Sequence, residues 1–257
     1  MTPDQPTDSG APLRAIVLAA GRGERMRPLT DTLPKPLLPV FGRPLIEWHL
    51  LALARDGVHE VIVNTAWLED RFEPVLGDGS RFGLRLVYSR EGRDHGGALE
   101  TAGGIAKALP WLTEGGREAF WVVSGDIWAP DFVFDAALAA RFAAGDLLAH
   151  LWLVPNPPFH PRGDFGLAAD GPAELAADAH WGLADGPGPD GMRHTYANLA
   201  LMRAPLCAGI TPGTRAALGP LLFEGMRAGR ISAALYPGRW ENVGTPAQLA
   251  ALQEPGG

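Results

Sequence analysis

The chain has 257 residues, and its 22 Lys+Arg against 29 Asp+Glu give a formal net charge of −7. A hydrophobic share of 46% excludes a disordered chain, and the acidic balance argues against a nucleic-acid binder, which normally carries a basic stripe. No apolar run reaches the roughly 18 residues that span a bilayer, so we expect no membrane association.

The N-terminal residues and the single cysteine indicate where the protein works and how the chain is organised. Residues 1–12 have neither the basic nor the apolar part of a signal peptide, and the single Cys207 has no partner for an internal disulfide. We therefore expect a cytoplasmic protein with a disordered tail at residues 1–13 and one folded domain at residues 14–257. Only Lys35 and Lys107 are lysines, beside twenty arginines, so each of them is worth attention; Lys107 is expected on the surface of a helix.

Strands and helices alternate along the first half of the chain. In order, the patterns predict strand 14–20, helix 44–55, strand 59–64, helix 67–75, strand 84–88, helix 101–109, strand 120–124, helix 134–144 and strand 147–154. This alternation implies βαβ units and a mostly parallel sheet. Right-handed crossovers then bring the carboxyl ends of the strands to one edge, where ligands bind.

The second half of the chain is less regular. Residues 170–192 are rich in Gly, Ala, Asp and Pro, which predicts a long surface excursion. After it, the patterns predict strand 194–203, helix 214–229, strand 231–236 and helix 245–253.

A glycine-rich loop follows the first predicted strand. Gly21 and Gly23 can present backbone N–H groups to phosphate oxygens, although a lone Gly-x-Gly more often makes only a tight turn. Here Arg25, Arg27 and Lys35 add cations, and the prolines on either side of Lys35 are expected to hold its backbone extended. Cations that converge on a glycine loop indicate a polyphosphate ligand.

The two common nucleotide-binding fingerprints do not match this loop. Met26 stands where a dinucleotide fingerprint has its third glycine, and no acid follows about twenty residues later. A Walker A loop is excluded because Pro34 and Ala106 precede the two lysines. A serine-hydrolase elbow, Gly-x-Ser-x-Gly, does not occur either.

The loop instead resembles that of the sugar-1-phosphate nucleotidyltransferase family, which reads Leu-Ala-Ala-Gly-x-Gly-x-Arg-x-x-Pro-Leu-Thr followed by Pro-Lys-Pro. Within the family, several segments resemble the bacterial N-acetylmuramate α-1-phosphate uridylyltransferases of peptidoglycan recycling: 23–30, 66–68, 77–84, 99–105, 125–128, 163–165 and 240–245. The resemblance implies a Rossmann-like three-layer α/β/α fold with a mixed, mostly parallel central sheet. Its nucleotide-binding part would be residues 14–130 and its sugar-phosphate-binding part residues 131–257.

The resemblance also implies roles for individual residues. Arg25 and Lys35 would hold phosphate oxygens, with Lys35 touching both the donor and the acceptor phosphates, and Asp126 would bind Mg²⁺. Gly166 and Asn198 would lie near the acceptor sugar, although many relatives have glycine in place of Asn198. Asp164 is a further candidate to bind hydroxyl groups of the acceptor. The nucleotide would contact residues of the first loop and of the segment that opens the helix after residue 98, namely Ala19, Ala20, Gly21, Gly23, Glu24, Leu99, Glu100, Thr101 and Gly103.

One position departs from the family pattern. Relatives place a second metal-binding aspartate in Trp-x-Asp-x-Gly-Thr, where this chain has Asn242. An amide oxygen can ligate a hard cation but adds no negative charge. We expect Asp126 to provide most of the metal affinity, with Asn242 as a weak ligand, and we expect the side chain of Glu241 to point to the opposite face.

The implied reaction does not need a general base. A sugar phosphate has a second pKa near 6, so at neutral pH it is mostly a dianion and already a nucleophile. The sequence shows no convincing His–Asp or Ser–His pair, in agreement with this chemistry. Mg²⁺, Arg25 and Lys35 would neutralise the two polyanions and place them in line.

Three functions remain open from the sequence. The first is transfer of UMP from UTP to N-acetylmuramate α-1-phosphate, the second is the same chemistry with GTP and mannose 1-phosphate or CTP and phosphocholine, and the third is a non-catalytic nucleotide-binding regulatory protein. A glycosyltransferase is less well supported because Asp126-Ile-Trp128 lacks the second acid of an Asp-x-Asp motif. The chain lacks the long C-terminal extension that builds oligomers in some relatives, which favours a monomer.

Overall fold

The computed structural model describes residues 13–168 and 181–254. The strands in these ranges are β1 Arg14–Leu18, β2 Pro39–Val40, β3 Arg43–Pro44, β4 Glu60–Thr65, β5 Arg85–Arg90, β6 Ala119–Ser124, β7 Ile127–Trp128, β8 Ala149–Val154, β9 Gly166–Ala168, β10 Trp181–Ala184, β11 Thr195–Arg203, β12 Ile231–Leu235 and β13 Glu241–Asn242. The helices are α1 Leu45–Arg55, α2 Phe72–Leu76, α3 Glu91–His95, α4 Glu100–Leu112, α5 Ala136–Ala144, α6 Gly219–Arg227 and α7 Pro246–Leu252. Within these ranges, every helix is too short or too polar to cross a membrane.

One sheet runs through both halves of the described chain. Its strand order is β5-β4-β1-β6-β11-β8-β12-β10-β9. β5, β4, β1 and β6 are parallel to one another, β11 lies antiparallel between β6 and β8, and β10 lies antiparallel between β12 and β9. The sheet is therefore mixed and mostly parallel, as expected.

Helices cover both faces of this sheet. Alternate side chains of a strand point to opposite faces, so Ala15 and Val17 of β1 join the apolar cluster under α1 and α5, whereas Ile16 joins the cluster under α4 and α6. Both clusters consist of side chains that are almost fully buried. The three-layer arrangement predicted for the chain is confirmed.

The expectation of a surface excursion at residues 170–192 is wrong for its central part. Residues 181–184 form β10, which pairs with β12 through Trp181↔Ala233 and with β9 through Leu183↔Leu167. A four-residue strand containing a glycine gives little periodic signal, because its pairing rests on backbone hydrogen bonds. Residues 170–180, and residues 1–12 of the expected tail, lie outside the described residues.

The side chains of Lys107 and Cys207 are both largely shielded from solvent. The Lys107 side chain is 10% exposed, and its ammonium donates to the Arg90 carbonyl at 2.8 Å and to Asp94 at 2.6 Å, so the expectation of a solvent-facing lysine is wrong. The Cys207 thiol is buried, and burial raises its pKa to about 11, which makes it unreactive.

Candidate active site

The carboxyl ends of two neighbouring parallel strands form one edge of the sheet. β1 ends at Leu18 opposite Ser124, the last residue of β6. The Gly125 N–H donates to the Leu18 carbonyl at 2.8 Å, and a Cβ on Gly125 would lie 2.9 Å from that oxygen. The loop that begins at Ala19 and the Gly125-Asp126 segment therefore lie side by side.

The two glycines of the first loop are needed for different reasons: Gly23 for a tight turn and Gly21 for open space beside the backbone. Gly23 has φ +63, and a Cβ there would lie 3.1 Å from the Thr30 methyl group and 3.3 Å from the Lys35 Cβ. The Thr30 hydroxyl donates to the Gly23 carbonyl at 2.8 Å and closes the loop. Around Gly21, in contrast, the space for a side chain is open, which leaves room for a ligand to approach the backbone.

Lys35 is held in a turn under this loop. The expectation of an extended backbone at Lys35 is wrong, because Lys35 begins a one-turn 3₁₀ helix, Lys35–Leu37, and only the preceding Pro34 is extended, with ψ 141°. Proline is tolerated at position 36 because the first turn of a helix does not use its N–H. The turn directs a lysine that is only 7% exposed toward the carboxyl edge of the sheet.

The Lys35 ammonium donates to the Asp126 carboxylate at a distance of 2.9 Å. Burial alone would raise the pKa of Asp126, but the positive charge of Lys35 and hydrogen bonds from Lys35 and Ser124 outweigh it and lower that pKa. Asp126 is therefore an anion at neutral pH, and its side chain remains 36% exposed, so a ligand can reach it.

Neighbouring elements fix the backbone around Asp126. β7 pairs with β13, with Asn242 opposite Ile127, and the Val243 N–H donates to the Asp126 carbonyl at 3.0 Å. The buried His49 ring contacts the Ile127 carbonyl at 2.8 Å, and desolvation by burial lowers the pKa of His49 to about 4. His49 is thus neutral at pH 7 and acts as a structural hydrogen-bond donor.

A cavity of about 520 Å³ opens above this edge, where Lys35, Asp126 and the glycine loop meet. Most of the residues that the sequence assigned to the nucleotide line it, namely Ala19, Ala20, Gly21, Gly23, Glu24, Arg25, Glu100 and Thr101. Arg25 is exposed and has no carboxylate partner within the described ranges, so its charge is available for a phosphate.

A second cavity of about 680 Å³ adjoins the first. Both cavities share part of their wall: Leu18, Arg25, Glu100, Thr101 and Ser124. Asp164, Asn198 and Asn242 line only the second cavity, beside the aromatic side chains of Phe159, Tyr196 and Trp240. Two ligands bound in these cavities would meet at the shared wall, next to Arg25.

The backbone is strained at two positions that line these cavities. Asn198 has φ 59 beside an irregularity in the pairing of β11 with β8, and Glu100 has φ 62. The left-handed region costs a non-glycine residue roughly 1–2 kcal/mol, and asparagine tolerates it better than most. Because position 198 requires a positive φ, a glycine could replace Asn198 there without backbone strain.

The second cavity also contains a pair that the sequence did not reveal. His160 Nε2 lies 3.0 Å from Asp164 Oδ1, and the other carboxylate oxygen of Asp164 accepts the Tyr196 N–H at 2.8 Å. The sequence showed no convincing His–Asp pair, whereas the structure brings His160 and Asp164 together. Because Asp164 Oδ2 is already bonded to the backbone, the pair is suited to holding a hydroxyl of a ligand in this cavity.

Three of the expected site residues lie outside the lining of both cavities. Leu99 is buried, with its N–H bonded to Glu91. Gly103 packs against the backbone of residues 214–216, where a Cβ would lie 2.3 Å from the Thr214 carbonyl oxygen. Gly166 packs in the same way, 2.1 Å from the Gly186 carbonyl oxygen. These positions act on the shape of the site through packing.

The residues near Asp126 fit a hard divalent cation. Asn242 Oδ1 is buried and makes no hydrogen bond within the described part of the chain. It lies 3.6 Å from the point that a Cβ on Gly244 would occupy, and Arg25 lies 3.6 Å from the same point.

The described residues hold no group of three or more His, Cys, Asp or Glu side chains that could bind a metal. Mg²⁺ commonly takes one or two protein carboxylates and completes its octahedron with water and substrate phosphates. Asp126 could supply the carboxylate from the first cavity, and Asn242, whose strand β13 pairs with β7 directly after Asp126, could supply its unpartnered amide oxygen from the adjoining cavity.

Replacing Asn242 by aspartate is expected to tighten Mg²⁺ binding by about tenfold, since a second carboxylate adds a full negative charge beside Asp126. The measurement is a Mg²⁺ titration of turnover, with Glu241→Gln as the control because Glu241 lines a different cavity from Asn242. An unchanged Mg²⁺ requirement in Asn242→Asp would exclude Asn242 from the metal site.

Sequence reasoning missed two polar residues at the 520 Å³ cavity, here called the nucleotide cavity after the residues that the sequence assigned to it: Asn64 lines it, and Glu91 lies behind Asn64. Asn64 is the second-last residue of β4, and Glu91 comes directly after β5. Both are buried, and they form a hydrogen bond of 2.7 Å with each other. Their position at the carboxyl ends of parallel strands beside β1 is the signal that could have identified them.

Comparison with known proteins identifies a family model and relatives that are similar to this chain. Residues 14–174 match the family model described as Nucleotidyl transferase. Over 242 residues the chain is 44% identical to the N-acetylmuramate alpha-1-phosphate uridylyltransferase of Neisseria meningitidis serogroup B, covering 94% of this chain and 97% of that protein. It is 39% identical over 171 residues to the protein of the same name from Caulobacter vibrioides, covering 63% of this chain and 68% of that one.

A solved structure shares the fold. The chain superposes on a Bacillus anthracis protein, described as a glucose-1-phosphate thymidylyltransferase in complex with sucrose, with a TM-score of 0.73 and 94% coverage of both chains. The sequence identity in that superposition is 18%, so the likeness concerns the fold.

Proposed function

This chain belongs to the nucleotidyl transferase family, and from that premise we propose that it transfers UMP from UTP to N-acetylmuramate α-1-phosphate, releasing pyrophosphate. The observation that carries the proposal is the pair of adjoining cavities, with Lys35 and Asp126 in one, Asp164 and Asn198 in the other, and Arg25 in both. The choice of UTP and of this sugar rests on the 44% identity to the meningococcal enzyme over 97% of its length.

The proposed chemistry is an attack by one oxygen of the sugar phosphate on the α-phosphorus of the triphosphate. The P–O bond to the β-phosphate breaks, and pyrophosphate leaves with the bonding electrons. Because the sugar phosphate is mostly a dianion at neutral pH, no side chain has to remove a proton. The main barrier is therefore the repulsion between two polyanions.

The charged side chains lie where they can lower that barrier. Arg25, on the shared wall, would contact phosphate oxygens of both substrates, and the buried Lys35 ammonium would bind the α-phosphate. Asp126 and Asn242 would hold Mg²⁺, which when bound supplies positive charge to the triphosphate. Orienting the two reactants in adjoining cavities also removes much of the entropic cost of their encounter.

The setting of the reaction is part of the same proposal. The enzyme would work in the cytoplasm, as a monomer, in the recycling of peptidoglycan sugars. Residues 14–130 would bind the nucleotide and residues 131–257 the sugar phosphate, with Arg25 contacting both.

A pyrophosphate-release assay with UTP, GTP, CTP and ATP, each against a panel of sugar 1-phosphates and phosphocholine, tests the proposal. We expect UTP with N-acetylmuramate α-1-phosphate to have the highest kcat/KM. A preference for GTP with mannose 1-phosphate, or for CTP with phosphocholine, would replace the substrates but keep the chemistry. Tight nucleotide binding without release of pyrophosphate in any combination would indicate a regulatory protein and contradict the proposal.

A further inference from the structure

A buried chain of hydrogen bonds links the two backbone segments on either side of the nucleotide cavity. The Ala19 N–H donates to Asn64 Oδ1 at 2.7 Å, and Asn64 Nδ2 donates to Glu91 Oε1 at 2.7 Å. The other oxygen of Glu91 accepts the Leu99 N–H at 2.7 Å. The first loop and the start of α4 are thus connected through two side chains, here called the Asn64–Glu91 bridge.

The bridge is almost completely buried, and only Asn64 reaches the wall of the nucleotide cavity. Glu91 is 0% exposed and Asn64 is 2% exposed. Burial raises the pKa of Glu91, and hydrogen bonds from the Leu99 N–H and from Asn64 oppose the shift. A buried carboxyl group is costly for a fold that could have used an apolar side chain, so its presence requires a reason.

The direction of each hydrogen bond in the bridge is fixed. Since Ala19 donates, Asn64 must present its oxygen to Ala19 and its NH₂ group to Glu91. Leu99 also donates, so both oxygens of Glu91 have to accept. Helix α4 packs closely on this arrangement: a Cβ on Gly104 would lie 2.6 Å from Glu91 Oε1 and 2.7 Å from Asn64 Nδ2. Side-chain identity is therefore tightly constrained at positions 64, 91 and 104.

The bridge ends at backbone that the cavity uses. Ala19 lines the nucleotide cavity, and Leu99 immediately precedes Glu100, which lines both cavities with the strained φ of 62. Leu99 is held on both sides, because its carbonyl accepts the Ala216 N–H at 3.0 Å while its own N–H is bonded to Glu91. A strained residue keeps its conformation only where its neighbours are fixed in this way.

We propose that Asn64 and Glu91 are positioning residues that hold the Ala19 loop and the Glu100 backbone at the separation that a nucleoside triphosphate requires. This inference rests on the proposed function and adds two residues to its nucleotide site. Glu91 is fully buried, and Asn64 lines the nucleotide cavity with only 2% of its surface exposed, so both act mainly through the Ala19 and Leu99 backbone. Their loss should weaken nucleotide binding while leaving the affinity for the acceptor nearly unchanged.

Two isosteric substitutions and their combination test the bridge. In Glu91→Gln, one NH₂ group must face either Asn64 Nδ2 or the Leu99 N–H, so two donors oppose each other. In Asn64→Asp, two carboxylates oppose each other. In the double variant, the new amide at position 91 can donate to the new carboxylate at position 64 and accept from Leu99. That carboxylate still accepts from Ala19, so all three hydrogen bonds are restored. Glu73→Gln is the matched control, since Glu73 is an exposed acid paired with Arg90 outside both cavities.

The readouts are the Kd for UTP by calorimetry, the KM for the sugar phosphate and the unfolding midpoint. Each single variant is expected to raise the Kd for UTP about tenfold, the cost of one opposed donor or acceptor pair, with the acceptor KM within about twofold of wild type. The double variant is expected to recover the wild-type Kd within about threefold. If Glu91→Gln does not fold, the Kd for UTP of Asn64→Asp is compared with that of the double variant, and recovery in the double variant supports the positioning role.

The outcomes separate this inference from the proposed function. A wild-type Kd for UTP in a folded single variant, or no recovery in a double variant with the wild-type unfolding midpoint, would show that the bridge only supports the fold. If the wild-type protein binds none of the four nucleoside triphosphates, the proposed function fails and the bridge proposal fails with it.

Discussion

Replacing Lys35 by alanine is expected to lower kcat by about 10²–10³-fold, the usual loss for one preorganised group that stabilises charge in the transition state. The Lys35 ammonium is buried and lies 2.9 Å from the Asp126 carboxylate at the floor of the nucleotide cavity. Initial rates at saturating substrates measure the effect. The unfolding midpoint should change little, because Asp126 is 36% exposed and can be hydrated when the lysine is removed.

Two further variants show whether the effect belongs to this ammonium. Lys35→Arg should also be slow, since a planar guanidinium does not fit the space of a compact, buried ammonium. Arg85→Ala should retain the wild-type kcat, because Arg85 is an exposed cation at the amino end of β5, paired with Glu60. Wild-type turnover in Lys35→Ala would remove Lys35 from the reaction and contradict the proposed mechanism.

Replacing Asp126 by asparagine is expected to lower kcat by about 10³-fold at any practical Mg²⁺ concentration. The substitution keeps the shape of the side chain and one acceptor for Lys35, but it removes the one carboxylate of the proposed metal site. Turnover and its Mg²⁺ dependence are measured together, so that a loss of affinity is distinguished from a loss of rate.

Asp131→Asn is the matched control for this experiment. Asp131 is five residues away in the chain and forms an exposed ion pair with Arg239 at 2.8 Å. Its loss should leave both kcat and the Mg²⁺ requirement unchanged. If Asp126→Asn retained the wild-type Mg²⁺ dependence, the metal would have to bind elsewhere.

Local pattern was sufficient to predict most of the nucleotide cavity. The apolar run before Ala19 is the buried strand β1, and the glycines at positions 21 and 23 follow it; the Gly125-Asp126 pair follows the buried strand β6 in the same way. Parallel strands bring such segments to one edge, so their proximity follows from the fold class. The predicted strands 14–20 and 120–124 correspond to β1 and β6 within two residues.

Contacts between distant residues were not predictable from the sequence, even where the end of a strand marked a residue as a candidate for the site. The Asn64–Glu91 bridge joins residues 27 positions apart, and neither residue stands in a recognisable motif. Gly103 and Gly166 were assigned to the ligands, but their close approach to the backbone of residues 214–216 and 186–188 gives a packing reason for glycine. A glycine requirement alone does not distinguish a ligand from a neighbouring backbone.

The direct test of nucleotidyl transfer between the two cavities is to follow ¹⁸O from the acceptor phosphate into the products. The protein is incubated with UTP and N-acetylmuramate α-1-phosphate labelled in its non-bridging phosphate oxygens, and the products are examined by mass spectrometry. We expect UDP-N-acetylmuramate that retains every label, because an acceptor oxygen forms the new bond to the α-phosphorus, together with unlabelled pyrophosphate. Labelled pyrophosphate, or UTP bound without any nucleotide sugar formed, would contradict the account.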